Sequence, residues 1–256
     1  MIVIGASLAS AQGRPGDFAD YGSGSQALCG TPGTQGGAAA GFWNPAAWAA
    51  MRKWELSFLW NDRNVHDKRL DNWGLFMGGH GFGLAMHRND LANPNARVND
   101  YQIVLGGGSP GDYWGLAYNW SRGDKDILRR DQSLALGNIY RPFPFLSIGS
   151  AAQIGLNRGD YRGISDVGVR PLRNHRITFF GDAAYGRRDN PSTMQWGAGV
   201  EVQPLNGIRV AGKISQPDAD TKDKVYTVSV GFTVDNIGFR SRRTTTSTRS
   251  ARPPVT

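Results

Sequence analysis

A glycine motif and four histidines are the features of this 256-residue sequence that most resemble a site for chemistry. Gly106, Gly108 and Gly111 have the spacing of a dinucleotide-binding loop, but such a loop opens a helix, and residues 113–120 alternate as a strand does. The motif therefore predicts a hairpin turn. The histidines, at positions 66, 80, 87 and 175, lack metal-ligand spacing, and no nucleophile is spaced with a base. The sequence predicts a non-enzyme with no cofactor and no metal.

The remaining ionisable candidates lie on segments in which polar and apolar residues alternate. Such alternation places the charged side chains on one face of a strand and the apolar ones on the other. We expect this polar face to line a hydrated or ion-paired lumen, where the charges form either a polar gate or structural pairs. The candidates for this lumen set are Glu55, Asp166, Arg170, Arg176, Asp182, Glu201, Arg209 and Lys213.

The elements that must position these residues are strands. Trp54, Leu56, Phe58 and Trp60 alternate with polar residues, and the segments at 113–120, 195–203, 208–215 and 226–232 behave in the same way. Weaker alternation predicts further strands near 72–78, 81–88, 100–106, 132–140, 145–156, 164–170 and 176–185. About twelve strands result, with a possible thirteenth at 236–241.

The connections between these strands alternate in length. Polar connections of roughly 7 to 11 residues, typical of external loops, are predicted near 61–71, 89–99, 121–131, 157–163, 186–193 and 215–223. The intervening turns, such as 204–207, are short. A transmembrane barrel has short periplasmic turns and longer external loops, whereas a soluble sandwich has no reason to alternate them.

Aromatic residues at both ends of the apolar faces favour a membrane barrel over a soluble β-sandwich binding module. Interfacial girdles of a membrane barrel call for such residues. The predicted girdle comprises Trp54, Trp60, Trp114, Trp120, Tyr185 and Tyr226. The fold class we predict is all-β: an antiparallel up-and-down transmembrane β-barrel of about 12–14 strands with an N-terminal plug-like segment, located in the bacterial outer membrane.

The two ends of the chain are expected to differ from the barrel at 53–241. Residues 1–13 contain a short apolar run and a small-x-small site, which predicts a truncated signal peptide. Residues 14–52 are rich in small residues and predict a loop or plug with a short helix at 44–52. Residues 242–256 predict a disordered tail. The net charge of +8 is scattered over loops, which favours outer-membrane lipid over nucleic acid as a partner.

The segment Gly36 to Ala50 resembles the start of FadL/PorV-like outer-membrane proteins. Its Asn44-Pro45-Ala46 motif follows a small-residue run and precedes the first strand, and Asp166 to Pro171 is similar to a later hairpin of that family. The resemblance implies about fourteen strands and a plug that contains Asn44, Pro45 and Ala46. An ordinary capped helix at the periplasmic rim is the alternative for this motif. No fourteenth strand is visible, which would make the chain an incomplete member.

Two functions follow from this resemblance. FadL-like members pass hydrophobic small molecules, which predicts an apolar pocket near the plug and a lateral opening. PorV-like members assist protein export, and a structural or export-associated barrel that binds other proteins predicts a filled lumen. The sequence leaves the solute, the oligomeric state and the closure of the barrel open.

Overall fold

The computed structural model describes most of the chain from residue 28 to residue 247, together with a short N-terminal strand. The described residues are 2–7, 18–19, 21, 28, 30–35, 37–61, 72–92, 95–174, 176–186, 194–216, 224–234 and 237–247. The predicted loops near 61–71, 186–193 and 215–223 fall almost entirely outside these residues, as do His66 and His175.

Fourteen strands account for nearly all the regular structure of the described residues. Each predicted strand is present, the thirteenth included. Their bounds are β1 Ile2–Ser7, β2 Glu55–Asn61, β3 Asn72–Gly79, β4 Phe82–Ala92, β5 Asn95–Ser109, β6 Asp112–Gly123, β7 Ser133–Phe143, β8 Leu146–Gly155, β9 Tyr161–Val169, β10 Ile177–Gly186, β11 Gln195–Leu205, β12 Ile208–Gln216, β13 Lys224–Val234 and β14 Ile237–Ser247.

The strands β2 to β14 form one up-and-down antiparallel meander, which confirms the predicted fold class. Each strand pairs with the next one along the chain. The antiparallel meander alone does not close, because its two end strands run in the same direction and pair with each other nowhere among the described residues. Strand β1 lies between them, parallel to both, with Ile4 opposite Phe239 on one side and Phe58 on the other. Closure therefore uses a segment that the sequence predicts to be a signal peptide.

Two boundaries differ widely from the sequence-based expectation, and a third differs at 157–163, where the connection is shorter than predicted because β9 already begins at Tyr161. The predicted long connection at 89–99 is wrong, because β4 and β5 stay paired as far as Ala92 and Asn95. Strand β14 continues to Ser247, so the start of the predicted disordered tail is paired with β13. In both places the strand has a polar sequence, so hydrophobic alternation does not predict it. The strand still forms, because main-chain hydrogen bonds hold the ladder together without an apolar face.

The glycine motif ends β5 and begins the turn to β6, as predicted. Gly108 and Gly111 have φ angles of 142° and 96°, which a side chain would strain. Gly108 lies beside Tyr113 in the paired ladder, and β6 follows within three residues of Ser109. The motif is a hairpin.

Three short helices lie inside the barrel. They are α1 Pro32–Gln35, α2 Ala38–Gly41 and α3 Ala46–Ala49, so the helix predicted at 44–52 is shorter than expected. They pack against the inner face of β2 to β9 and form the hydrophobic core with it. Among the described residues, no helix is long and apolar enough to span a membrane.

Candidate functional site: the plugged lumen

The barrel buries its polar residues and exposes its apolar ones. On β7, Ser133, Ala135 and Ile139 point inward and are buried, while Leu134 and Leu136 point outward and are 41% and 59% exposed. The neighbouring strands repeat the pattern with larger inward polar groups. Buried polar residues of the wall include Glu55, Ser57, Gln102, Ser147, Gln153, Asp166, Thr178, Asp182, Lys213, Ser215, Thr227 and Ser229.

The predicted aromatic girdle lies on the outer face. Trp54 and Trp114 are about half exposed beside the short turns, and Tyr185 and Tyr226 are similarly exposed beside the long connections. Trp120 stacks on Tyr101, with ring centroids 5.5 Å apart, at the long-loop end of the same strand as Trp114. Trp60 stacks on Phe58 with a centroid separation of 5.7 Å. Aromatic side chains therefore mark both ends of the apolar band.

The helices fit into the lumen because the facing wall lacks side chains. A Cβ atom on Gly83 would overlap the indole ring of Trp48, and one on Gly78 would lie 2.6 Å from the same ring. A Cβ on Gly115 would lie 2.5 Å from the carbonyl carbon of Pro45. Backbone and ring therefore occupy the space that wall side chains would otherwise fill.

The predicted plug motif sits at the deepest part of this contact. Asn44 is buried, and its side-chain amide donates hydrogen bonds to the carbonyl oxygens of Asn138 (3.1 Å) and Ser150 (3.2 Å). Its Oδ1 accepts a hydrogen bond from the amide of Ala46 at 3.1 Å, which begins α3 after Pro45. The motif therefore begins α3 inside the barrel, against β7 and β8, and its role as a plug stays a prediction.

A second set of hydrogen bonds fixes α1 to β7, β8 and β9. The carboxylate of Asp166 accepts hydrogen bonds from the Thr31 hydroxyl (2.9 Å) and from the Gly33 amide (3.1 Å). The Gly33 carbonyl accepts from Arg141 and Ser147, at 3.0 and 2.9 Å. These contacts satisfy the main-chain amide and carbonyl of Gly33 in a one-turn helix that has few internal partners.

Two more predicted lumen residues hold the plug. Arg170, at the end of β9, donates from Nη2 to the Thr34 carbonyl at 3.0 Å. Glu55 accepts hydrogen bonds from the Ala38 amide at 2.9 Å and from the Ser57 hydroxyl at 2.8 Å. Together with Asp166, they show that inward charges on β2 and β9 serve plug attachment.

On the wall opposite the plug helices, buried charged side chains pair with each other and do not bind the plug. Lys213 Nζ lies 3.0 Å from Asp182 Oδ1, and both side chains are almost completely buried. Gly197 leaves the room for this pair, because its Cβ would lie 2.8 Å from the Asp182 carboxylate. The ion pair joins β10 to β12 across β11.

Two further predicted lumen residues, Glu201 and Arg209, are half-buried and line a cavity of about 150 Å³. The cavity lies between the plug and strands β10 to β12. Its other lining residues are Gly30, Thr34, Thr178, Phe180 and Gln203.

The prediction for Arg176 differs from the structure. Its side chain is exposed in the short turn that precedes β10, where its amide donates to Asn174 Oδ1 at 2.9 Å. The alternation of β10 begins one residue later, at Ile177, so Arg176 belongs to the rim and not to the lumen.

Several inward groups were missed from the sequence. Gln102 donates to the Phe42 carbonyl at 3.2 Å, and Arg141 and Ser147 hold Gly33. Arg130 lies 3.5 Å from Asp100 at the long-loop end, with both side chains buried. The inward position of Gln102 follows from the alternation of 100–106, but Arg130 lies in a loop, where no period applies.

The geometry defines a β-barrel whose own N-terminal segment fills one side of its lumen. No protein-family model matches the chain, and no curated protein matches it. Two solved structures are similar, both engineered mutants of the Rhodobacter blastica porin, at 14% and 15% identity with TM-scores of 0.41 and 0.40. Each match covers 68% of this chain and 56% of the porin chain. A likeness at this TM-score carries no conclusion about function, which has to come from the chain's own residues.

Proposed function

We propose that this chain is a bacterial outer-membrane β-barrel that passes small molecules through a lumen restricted by its own N-terminal segment. The observation that carries the proposal is the inverted burial: apolar side chains face outward and exposed, and polar and charged ones face inward and buried. In water this arrangement would leave a large apolar surface uncovered. In lipid it is the arrangement that a closed barrel needs.

The dimensions of the barrel support a membrane setting. Most strands have 9 to 12 residues, and a tilted membrane strand needs about 9–11. The apolar band lies between two rows of aromatic side chains, which suit the two lipid–water interfaces.

Arginine substitutions at two exposed apolar positions test the proposal. Leu136 is 59% exposed in the middle of β7, and Ile127 is 49% exposed in the connection between β6 and β7. A soluble protein would tolerate arginine equally at both. In a membrane barrel, Leu136→Arg costs about 2–4 kcal/mol of folding free energy and Ile127→Arg costs almost none.

The measurement is folding into phospholipid vesicles, followed by heat-modifiable migration on gels and by urea titration. We expect reduced assembly of Leu136→Arg only. Equal behaviour of the two variants, or recovery of the wild type in the soluble fraction without detergent, would contradict the membrane proposal.

The cavity favours small polar solutes over the hydrophobic molecules that the family resemblance implies. Its lining includes the ionisable side chains of Glu201 and Arg209 and the polar side chains of Thr178 and Gln203, with Phe180 as the one large apolar side chain among the described lining residues. Vesicle assays with a long-chain fatty acid and with a small polar solute separate the two. Fatty-acid uptake without polar-solute uptake would restore the hydrophobic hypothesis.

The filled side of the lumen favours a second candidate, a structural or export-associated barrel that binds other proteins. Among the described residues, the pocket beside Phe42 and Trp43 at the long-loop end has a volume of about 20 Å³. Such a barrel predicts that neither polar solutes nor fatty acids enter vesicles. Co-purification of a defined partner with the folded barrel, lost on changing the exposed long connections, would support this candidate.

A further inference from the structure

Two opposite charges line the cavity without neutralising each other. Among the described residues, neither the Glu201 carboxylate nor the Arg209 guanidinium makes a hydrogen bond or a close ion pair, although Glu201 also interacts electrostatically with Arg170 at the end of β9. The nearby Asp182 and Lys213 do pair, on the same strand ladder. Among the described residues, Asp182 and Lys213 therefore form a close ion pair, whereas Glu201 and Arg209, toward the short turns, face the cavity and do not pair with each other.

The register places the two charges in diagonal positions on one face of the ladder. Glu201 is opposite Ala211 between β11 and β12, which makes Arg209 and Lys213 its two diagonal neighbours. Diagonal neighbours on one face are about 7–8 Å apart. The register then shifts between Val202 and Leu205, which re-aims Gln203 in the manner of a β-bulge.

Polar groups complete the lining from both sides. Thr178 is opposite Glu201 on β10, so its hydroxyl lies on the same face as the carboxylate. Thr34 approaches from the plug, where Arg170 holds its carbonyl in place. The site is thus built partly from the barrel wall and partly from a fixed plug segment.

We propose that this cavity binds a small zwitterion of the α-amino-acid class. The ammonium group of the ligand would lie against Glu201 and its carboxylate against Arg209, so that each charge of the site gains its complement. A ligand with only one charge would leave the other side chain without a direct ion pair as water is displaced.

The volume sets the size of this ligand. A cavity of about 150 Å³ has the size of one that holds benzene, a ligand of about six heavy atoms. An amino acid of about five or six heavy atoms, such as glycine or alanine, matches that space. Among the described lining residues, Phe180 is the one large apolar side chain, and it offers a surface for a methyl group.

The inference deepens the proposed function by naming a solute class, and it rests on that proposal only for access from the lumen. Binding itself can be measured on the full chain folded in detergent, without vesicles or transport. A loss of binding and a loss of membrane assembly are therefore separate outcomes.

Three probes of similar size test the proposal: alanine, propionate, which lacks the ammonium group, and alaninamide, which lacks the carboxylate charge. Saturation-transfer NMR and titration on the folded barrel measure the dissociation constant of each. We expect alanine to bind saturably and at least about tenfold more tightly than either singly charged probe. Absence of saturable alanine binding to the wild type, or equal binding of the three probes, would overturn the proposal.

Matched substitutions locate the site. We expect Glu201→Gln and Arg209→Gln each to weaken alanine binding about tenfold or more, and Glu201→Gln to spare propionate binding. Arg176→Gln is the control, because Arg176 is an exposed arginine of the adjacent turn, and it should leave binding unchanged. If the two lumen variants bind alanine as well as the wild type does, the proposal fails. Thr178→Val, which keeps both charges and the side-chain shape, supplies a further test if either charge variant does not fold.

Discussion

The two sides of the lumen solve the problem of filling a barrel in different ways. The β2–β9 wall is lined by small residues such as Gly83 and Gly115, and the plug helices pack directly against its backbone. The β10–β13 wall carries polar and charged side chains, among them the pair Asp182 and Lys213, and leaves a cavity. On the β2–β9 side the plug helices fill the lumen by close packing. On the β10–β13 side polar and charged side chains line a lumen that is partly open.

The difference shows which side can accommodate a solute. Displacing the plug from β2–β9 breaks the hydrogen bonds of Asn44, Glu55 and Asp166 and uncovers the Trp48 ring. The cavity beside β10–β12 exists while the plug is in place. The proposed passage of solutes would therefore follow the β10–β12 wall, with the plug limiting how much of the lumen takes part.

Removing the plug helices gives the largest expected effect. Deletion of residues 36–50 removes α2, α3 and the Asn44 contacts, while the strand ladders of β2 to β14 keep their main-chain hydrogen bonds. We expect the barrel to assemble in vesicles and its permeability to small polar solutes to rise severalfold. Unchanged permeability in an assembled barrel would mean that this segment does not restrict the lumen.

Breaking the buried ion pair of Asp182 and Lys213 tests whether water is excluded from the β10–β13 side of the lumen. Loss of one partner of a buried pair costs about 3–5 kcal/mol, because the other charge remains unpaired. We expect Asp182→Asn to lower the free energy of unfolding by that amount in a urea titration. The double variant Asp182→Asn with Lys213→Met should recover much of it, whereas a cost below about 1 kcal/mol would indicate a pair bathed in water.

A single methyl group tests the close packing of the plugged side. The Cβ of Gly115→Ala would meet the backbone of Pro45, which cannot rotate away, so we expect a loss of about 1–3 kcal/mol. Gly212→Ala is the control on β12, because no atom lies within 4 Å of its Cβ position. Thermal unfolding of the two variants measures the contrast, and equal unfolding temperatures would argue against a packed plug.

The smallest expected effect lies outside the barrel wall. Asp131, in the connection that precedes β7, is slightly desolvated, which raises its pKa, but hydrogen bonds from Asn157, Gln132 and Arg158 outweigh this and hold the pKa below its usual value. A depressed folded-state pKa gives stability above the unfolded pKa of about 3.9 that is lost as pH falls through the folded value. We expect the hydrogen-exchange protection factors of residues 124–132, corrected for the intrinsic exchange rate, to fall below about pH 4, and Asp131→Asn to abolish that dependence.

Much of the wall could be predicted from the sequence, because a strand with two different environments alternates with a period of two. The alternation of large and small residues is sufficient to predict β6 and its outer face, since Trp114 and Leu116 alternate with Gly115 and Ala117. The strand β1 could not be predicted, because its apolar run also fits a signal peptide. Arg176 was misplaced because alternation does not say at which residue a strand begins.

Some features of the candidate site could likewise be predicted from the sequence, and others could not. The inward direction of Glu201, Arg209, Asp182 and Lys213 follows from the period of their strands. Their different situations depend on register and on a bulge after Val202, which local sequence does not encode. The approach of Thr34 to Thr178 joins segments more than a hundred residues apart, and only the packed plug brings them together.

The central claim is that the face carrying Leu116 and Leu136 contacts lipid while the face carrying Ser147 contacts the plug and lumen. Spin labels on Leu116→Cys, Leu136→Cys and Ser147→Cys, each in a Cys29→Ser background in vesicles, measure this by their accessibility to oxygen and to a water-soluble nickel complex. We predict high oxygen and low nickel accessibility at the first two positions and low oxygen accessibility at the third. High nickel accessibility at Leu116 and Leu136 would contradict the membrane barrel.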